Sequence, residues 1–151
     1  MSAATVAAMR RAMLDAYAAG VAAVEGERVT ADWLHRHPFD GPVSVLAFGK
    51  AAGAMARGAQ RALDQQLVDG LVVTKAGHAD VGGLSDARWR VIEAAHPVTD
   101  GPSLAAGQAV ADFISALPAE RAVLLLVSGG ASALVELPVP GVRLDTLARV
   151  N

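Results

Sequence analysis

The 151-residue sequence has no cysteine, which removes disulfides, thiolate nucleophiles and cysteine-ligated metal from consideration and leaves the redox compartment open. It also lacks a charge excess. A net charge of −2 supplies no electrostatic case for binding nucleic acid or an anionic membrane. No run approaches the ~20 apolar residues needed to span a bilayer. Arg10-Arg11 precede alanine-rich sequence, but Asp15 interrupts any signal-like core and Gly20, Glu25 and Glu27 close it, so a cytoplasmic protein is expected. Internal repeats and low-complexity segments are absent too. What remains is a sequence with 53% hydrophobic and 19% charged residues, the balance of a folded α/β-type domain with a sizeable core.

The most informative stretch is Val43-Ser44-Val45-Leu46-Ala47-Phe48-Gly49-Lys50-Ala51-Ala52-Gly53-Ala54-Met55-Ala56. A buried strand ends at Gly49 and alanine-rich helical sequence follows at once. Lys50 would sit against the positive end of a helix dipole. A cation at that position suggests an anion that uses both the lysine and the free backbone N–H groups; the alternative is a lysine whose stem carries its charge into water.

Upstream, Val6, Met9, Met13, Tyr17, Val21 and Val24 recur at steps of three or four. They predict an amphipathic helix over about 2–24 that packs on a sheet or, in a homodimer, on a partner subunit. Thr30 to Pro42 reads as a connector anchored by Trp33 and Leu34. His35 and His37 lack the further ligands a metal site needs, so no metal is assigned.

Downstream, a helix should run from Lys50 to about Leu67, followed by a strand at 70–74 and a glycine-rich loop from Lys75 to Asp86. A third strand at 88–95 has no clear helix before it and suits an antiparallel or edge position. Asp100 or Ser103 should cap a helix that has Pro102 near its start and buries Leu104, Ala105, Val110, Phe113 and Ile114. The run Ala122-Val123-Leu124-Leu125-Leu126-Val127 is the most hydrophobic strand and should be central. It leads into Ser128-Gly129-Gly130-Ala131-Ser132, a second strand, glycine turn and helix start. A last helix should begin near Leu144, and the sequence stops within that pattern, as a fragment of a longer protein would. The expected fold is a Rossmann-like, three-layer α/β/α domain with a mostly parallel open sheet over 43–151, preceded by a helix and connector over 1–42.

Two glycine turns at the carboxyl edge of one sheet mark the place where ligands bind in such folds. Gly49 and Gly53 allow close approach. Gly129 and Gly130 expose consecutive N–H groups as a nest for phosphate or carboxylate, and Ser128 and Ser132 add hydroxyls. His96, held extended by Pro97, suits either acid–base work or a loop-holding hydrogen bond. Asp100 suits a helix cap better than a metal ligand. Neither turn is a nucleotide fingerprint: a Walker loop needs Gly-Lys-Ser/Thr after its second glycine, and the dinucleotide pattern is broken at Lys50 and Ala51. Lys75 stands where an acid would bind the ribose of NAD, which disfavours NAD but leaves room for the 2′-phosphate of NADPH. Ser128 is outside any Gly-x-Ser-x-Gly context, so hydrolase chemistry has no support.

Taken together, Gly49-Lys50-Ala51-Ala52-x-x-Met55-Ala56, His96-Pro97-x-x-Asp100 and Ser128-Gly129-Gly130-x-Ser132-Ala133-Leu134 resemble, in order and spacing, the N-terminal domain of the glycerate 2-kinase family with a C-terminal MOFRL domain. The resemblance covers about Met9 to Asn151. It implies a two-domain kinase that phosphorylates D-glycerate at its 2-hydroxyl using ATP and a divalent metal such as Mg2+, in a cleft between the domains. It further implies that Lys50 is the active-site lysine and that residues 128–132 form a phosphate or substrate loop. Thr99 stands where the family usually has a second proline. By the same resemblance a functional arginine and the C-terminal domain lie beyond Asn151, so the chain alone should be inactive. The rivals are an NADPH-dependent hydroxypyruvate reductase and a non-catalytic anion-binding module.

Overall fold

In a computed structural model, which describes residues 2–79, 82–84, 86–147 and 149, the four strands β1 (Val43–Phe48), β2 (Leu67–Lys75), β3 (Trp89–Ala94) and β4 (Ala122–Val127) form one parallel sheet in the order β3-β2-β1-β4. The alternation of side chains along β1 sets the layers. Val43, Val45 and Ala47 join one apolar cluster with Ala52, Ala56, Ala59 and Leu63 of α3 (Ala52–Leu63) and Leu34 of α2 (Gly26–Arg36). Leu46 joins the other with Ala106 and Ala109 of α4 (Gly101–Ser115) and Leu134 of α5 (Ala131–Leu134). Helices therefore cover both faces, and the three-layer α/β/α expectation holds. A terminal turn, α6 (Leu144–Leu147), lies within the predicted last helix, whose residues 148, 150 and 151 are outside the described ones.

In the N-terminal 42 residues one alternative falls away and one expectation is overturned. The first helix, α1 (Ala3–Ala23), forms and is capped by the Ser2 hydroxyl, which accepts the Thr5 N–H at 3.1 Å, but none of its residues is buried. Its apolar stripe does not pack on the sheet. The predicted connector is mostly helix: Glu25 caps α2 by accepting the N–H groups of Glu27 and Arg28, and Thr30, Ala31 and Leu34 are buried. A carboxylate cap is easily missed because the helix itself opens on a glycine, a poor helix former.

The third strand is parallel and at the edge, reached from β2 with Leu84 of the glycine-rich connection buried in the α3-side cluster. Residues 80, 81 and 85 of that connection are outside the described ones. The most hydrophobic strand, β4, is not central; it ends the sheet, and Val123, Leu125 and Val127 are 42%, 55% and 55% exposed. Apolarity reports the environment a strand suits, and here only Leu124 and Leu126 find it. Of the larger residues expected to be buried on α4, Val110 and Phe113 are half-buried against the core and Ile114 is exposed, while the fully buried residues are Ser103, Ala106, Gly107 and Ala109. Those small side chains bring the helix close: a Cβ on Gly107 would overlap the Glu136 carbonyl.

Candidate functional site

Strand order creates the site before any side chain is considered. Chain direction along the sheet reverses between β1 and β4: β2 and β3 follow on one side of β1, and β4 returns on the other. In open α/β sheets the crevice at such a switch point, at the strands' carboxyl ends, is the ligand position. Phe48 and Val127 are register partners, so the turns at 49–51 and 128–130 leave the sheet side by side.

These turns are bonded to each other. The Ser128 N–H donates to the Phe48 carbonyl at 2.9 Å, and the Lys50 N–H donates to the Gly129 carbonyl at 3.1 Å. The Ser128 hydroxyl accepts the Ala51 N–H at 3.0 Å and donates to the Phe48 carbonyl at 3.3 Å. Gly49 has φ +113°, and a Cβ there would fall on the Ser128 hydroxyl and carbonyl oxygens. Only glycine serves both the conformation and the approach. From the other flank, the buried Thr74 hydroxyl donates to the Gly49 carbonyl at 3.0 Å, and the Gly49 N–H donates to Val73.

This geometry revises two expectations. Lys50 precedes α3, whose N-cap is Ala51, so the lysine is not in the first helical turn. The N–H groups of Lys50, Ala51 and Ala52 are also taken, the last by the Gly49 carbonyl at 3.2 Å. The head of α3 is therefore not an open anion site. The N–H groups at Gly129 and Gly130 form no hydrogen bond among the described residues, and Gly130 has φ +89°. This turn is the remaining nest.

Two chemically versatile side chains meet it. A Cβ placed on Gly130 would lie 3.0 Å from His96 Nε2 and Cδ2 and 3.3 Å from Lys50 Cε. Lys50, His96 and the 129–130 turn, far apart in sequence, thus converge on one point. Lys50 is exposed and His96 half-buried. Ser128 is drawn inward as the staple between the turns, Gly53 is buried in the first turn of α3, and Ser132 is exposed on α5.

The segment carrying His96 is fastened at its base. It contains a cis peptide bond at His96–Pro97. Asp100 is the N-cap of α4, with Pro102 in its first turn and a reciprocal capping box with Ser103. Burial alone would raise the Asp100 pKa, but hydrogen bonds from the Ser103 N–H and hydroxyl and from the Ala95 N–H outweigh it and hold the carboxyl below its ordinary value. Sequence reasoning did not single out Thr74, Glu136 or Gly107. Thr74 left a usable trace, a hydroxyl at the end of an otherwise apolar strand.

A polar cavity of about 640 Å3 lies elsewhere, lined by residues that include Glu27, Arg57, Gln60 and Arg61. Glu27 already bonds Arg57 at 2.9 Å and Arg61 at 3.1 Å, so these charges tie α2 to α3 and are not free for a ligand. Among the described residues no group of three histidine or carboxylate side chains is placed to hold a metal ion, and no helix is long and apolar enough to cross a membrane.

Fold and turn together define an open α/β domain that presents a lysine, a histidine and a glycine nest at its switch point. The chain belongs to the DUF4147 family, whose model, described as a domain of unknown function, matches residues 12–151. It is 38% identical over 109 residues to the D-glycerate 2-kinase of Thermotoga maritima, a match covering 72% of this chain and 25% of that protein. A protein of Agrobacterium vitis provisionally named a hydroxypyruvate reductase is 36% identical over 107 residues, 71% of this chain and 27% of its own. The crystal structure of a Thermotoga maritima glycerate kinase superimposes with a TM-score of 0.84 at 30% identity, over 95% of this chain and 34% of that one. The chain thus spans about a quarter to a third of the length of these relatives.

Proposed function

We propose that this chain forms one wall of the active site of an ATP-dependent kinase that phosphorylates D-glycerate at its 2-hydroxyl. The carrying observation is the convergence of Lys50 and His96 on the Gly129–Gly130 turn. Phosphoryl transfer asks a protein mainly for positioning and for neutralisation of charge on the transferring group. The free N–H groups of the turn would hold phosphate or carboxylate oxygens, and Lys50 would hold either the transferring phosphate or the glycerate carboxylate. His96 would hydrogen-bond the same ligand. Gly49 and Ser128 join the two turns, and Gly53 and Ser132, in the helices that follow them, would lie beside the ligand. Residues 43–151 would be the incomplete N-terminal domain of a two-domain, cytoplasmic enzyme, and the remainder of the polypeptide would supply the other wall, so the chain alone is expected to bind anions without turnover.

A divalent metal such as Mg2+ travels with ATP in this reading. The described residues make no metal site of their own, and the roles given to Lys50 and the turn do not depend on one. In the full-length polypeptide assayed with ATP and D-glycerate, Lys50→Ala should lower turnover at least ~100-fold while leaving the melting temperature unchanged. Near-native turnover would remove Lys50 from the site. An NADPH-dependent reductase is the competing reading, suggested by the provisional name of the Agrobacterium vitis relative. The absence of a glycine fingerprint at 49–54 argues against it, and nicotinamide absorbance with hydroxypyruvate distinguishes the two.

A further inference from the structure

We infer that Asp100 is a positioning residue that holds His96 over the Gly129–Gly130 turn, acting through the Ala95 N–H at the base of the His96 loop. Its value for ligand binding rests on the proposed reading of that turn as an anion site; its mechanical role does not.

A helix N-cap needs to satisfy only the N–H groups of the first turn. Asp100 does this by accepting the Ser103 N–H at 3.0 Å and the Ser103 hydroxyl at 2.9 Å, while the Ser103 hydroxyl oxygen accepts the Asp100 N–H at 3.3 Å. The same carboxylate oxygen also accepts the Ala95 N–H at 3.4 Å. That bond contributes nothing to the cap. It joins the end of β3 to the head of α4 and closes residues 96–99 into a pinned loop. His96 is the first residue after the pin, and its ring is the group that meets Gly130.

The same helix head reaches the other side of the site. The Ser103 carbonyl accepts the Glu136 N–H at 3.2 Å, and the buried Thr99 hydroxyl donates to Glu136 Oε1 at 3.5 Å. Glu136 lies two residues past α5, the element that the glycine turn opens. The His96 loop and the far end of the 128–136 segment are thus referred to one anchor, the first turn of α4. A preorganised site requires its groups held to within about 0.5 Å, and a loop closed on a helix head restricts the backbone that carries the ring.

The cap and the pin are separable by substitution. Asp100→Ser keeps a good N-cap but has one short hydroxyl in place of a carboxylate reaching both Ser103 and Ala95. Asp100→Asn keeps the acceptor oxygen and should rescue both functions. Ser103→Ala removes the capping-box hydroxyl and leaves the pin. In the 151-residue chain, Asp100→Ser should melt within a few degrees of native, lose the exchange protection of the Ala95 amide and shift the His96 ring resonances. Asp100→Asn and Ser103→Ala should leave those resonances in place. Titration with inorganic phosphate should weaken about 5-fold or more in Asp100→Ser.

His96 resonances that superimpose on native in Asp100→Ser would reduce Asp100 to a helix cap and overturn the inference. If the resonances move but native protein binds no phosphate, the positioning role stands and the anion-site reading fails.

Discussion

Replacing Gly49 by alanine tests the junction on which the whole site depends. Two costs can be worked from the structure. The φ of +113° is a region that non-glycine residues occupy at about 1–3 kcal/mol. The added Cβ also meets the Ser128 hydroxyl and carbonyl oxygens and the carbonyl carbon. Rotation of a side chain cannot relieve an overlap with backbone, so the 128–130 turn has to move away. Movement strains the bonds from Ser128 N–H to Phe48, from Lys50 N–H to Gly129 and from Ala51 N–H to the Ser128 hydroxyl, each worth about 0.5–1.5 kcal/mol. Losing half of that sum and adding the strain predicts a destabilisation of about 2–5 kcal/mol, a large share of a typical domain's stability.

For a chain of this size, that destabilisation corresponds to a melting temperature about 4–20 °C lower, measurable by circular dichroism with urea unfolding as a cross-check. Gly77→Ala is the matched control. Its φ is +76° with nothing within 4 Å of a Cβ, so it carries strain alone and should cost about 1 kcal/mol. Equal effects at the two positions would refute the claim that the two turns are in contact at Gly49.

Three further outcomes follow from other contacts. Gly107→Ala places a methyl on the Glu136 carbonyl and should destabilise by about 2–3 kcal/mol in urea unfolding, whereas Gly101→Ala, with open space around it, should change little. Glu25→Ala removes the acceptor for the Glu27 and Arg28 N–H groups and should cost about 1 kcal/mol in the same assay. The Asp100 carboxyl titrates below its ordinary value when folded, so its contribution is present above the unfolded pKa of about 4 and fades as pH falls through the lower folded value. Asp100→Asn should therefore flatten the loss of stability below about pH 4, as read from melting temperatures across that range.

Much of the fold was legible because its signals are local. The strand at 43–48, the strand expected at 70–74 and the two strand-to-glycine junctions follow from apolar runs, and the observed sheet keeps them within a few residues of expectation. The α2 helix was not legible, since its cap is a glutamate and it opens on a glycine. The buried face of α4 was partly legible: Val110 and Phe113 pack on the core as expected, but the fully buried positions carry small side chains. At Gly107 the close approach of residues 136–137 leaves no room for a side chain. At the site, Lys50, His96 and the 129–130 turn were each visible, but the inward role of Ser128 was not, because an exposed ligand hydroxyl and a structural staple have the same sequence.

The sequence alone determined the alternation of strands and helices, the two glycine turns and the residue types able to meet an anion, since each is written in neighbouring positions and their periodicity. Tertiary structure alone decided that β4 lies beside β1 at the sheet's end, so that the 49–51 and 128–130 turns interlock, and that His96 arrives from a third element. It also decided which N–H groups remain for a ligand. Those of Lys50 and Ala51 are consumed by partners nearly eighty residues away, and no local pattern records a bond of that span. Lys50 thus leaves its side chain exposed while its backbone holds the two turns together.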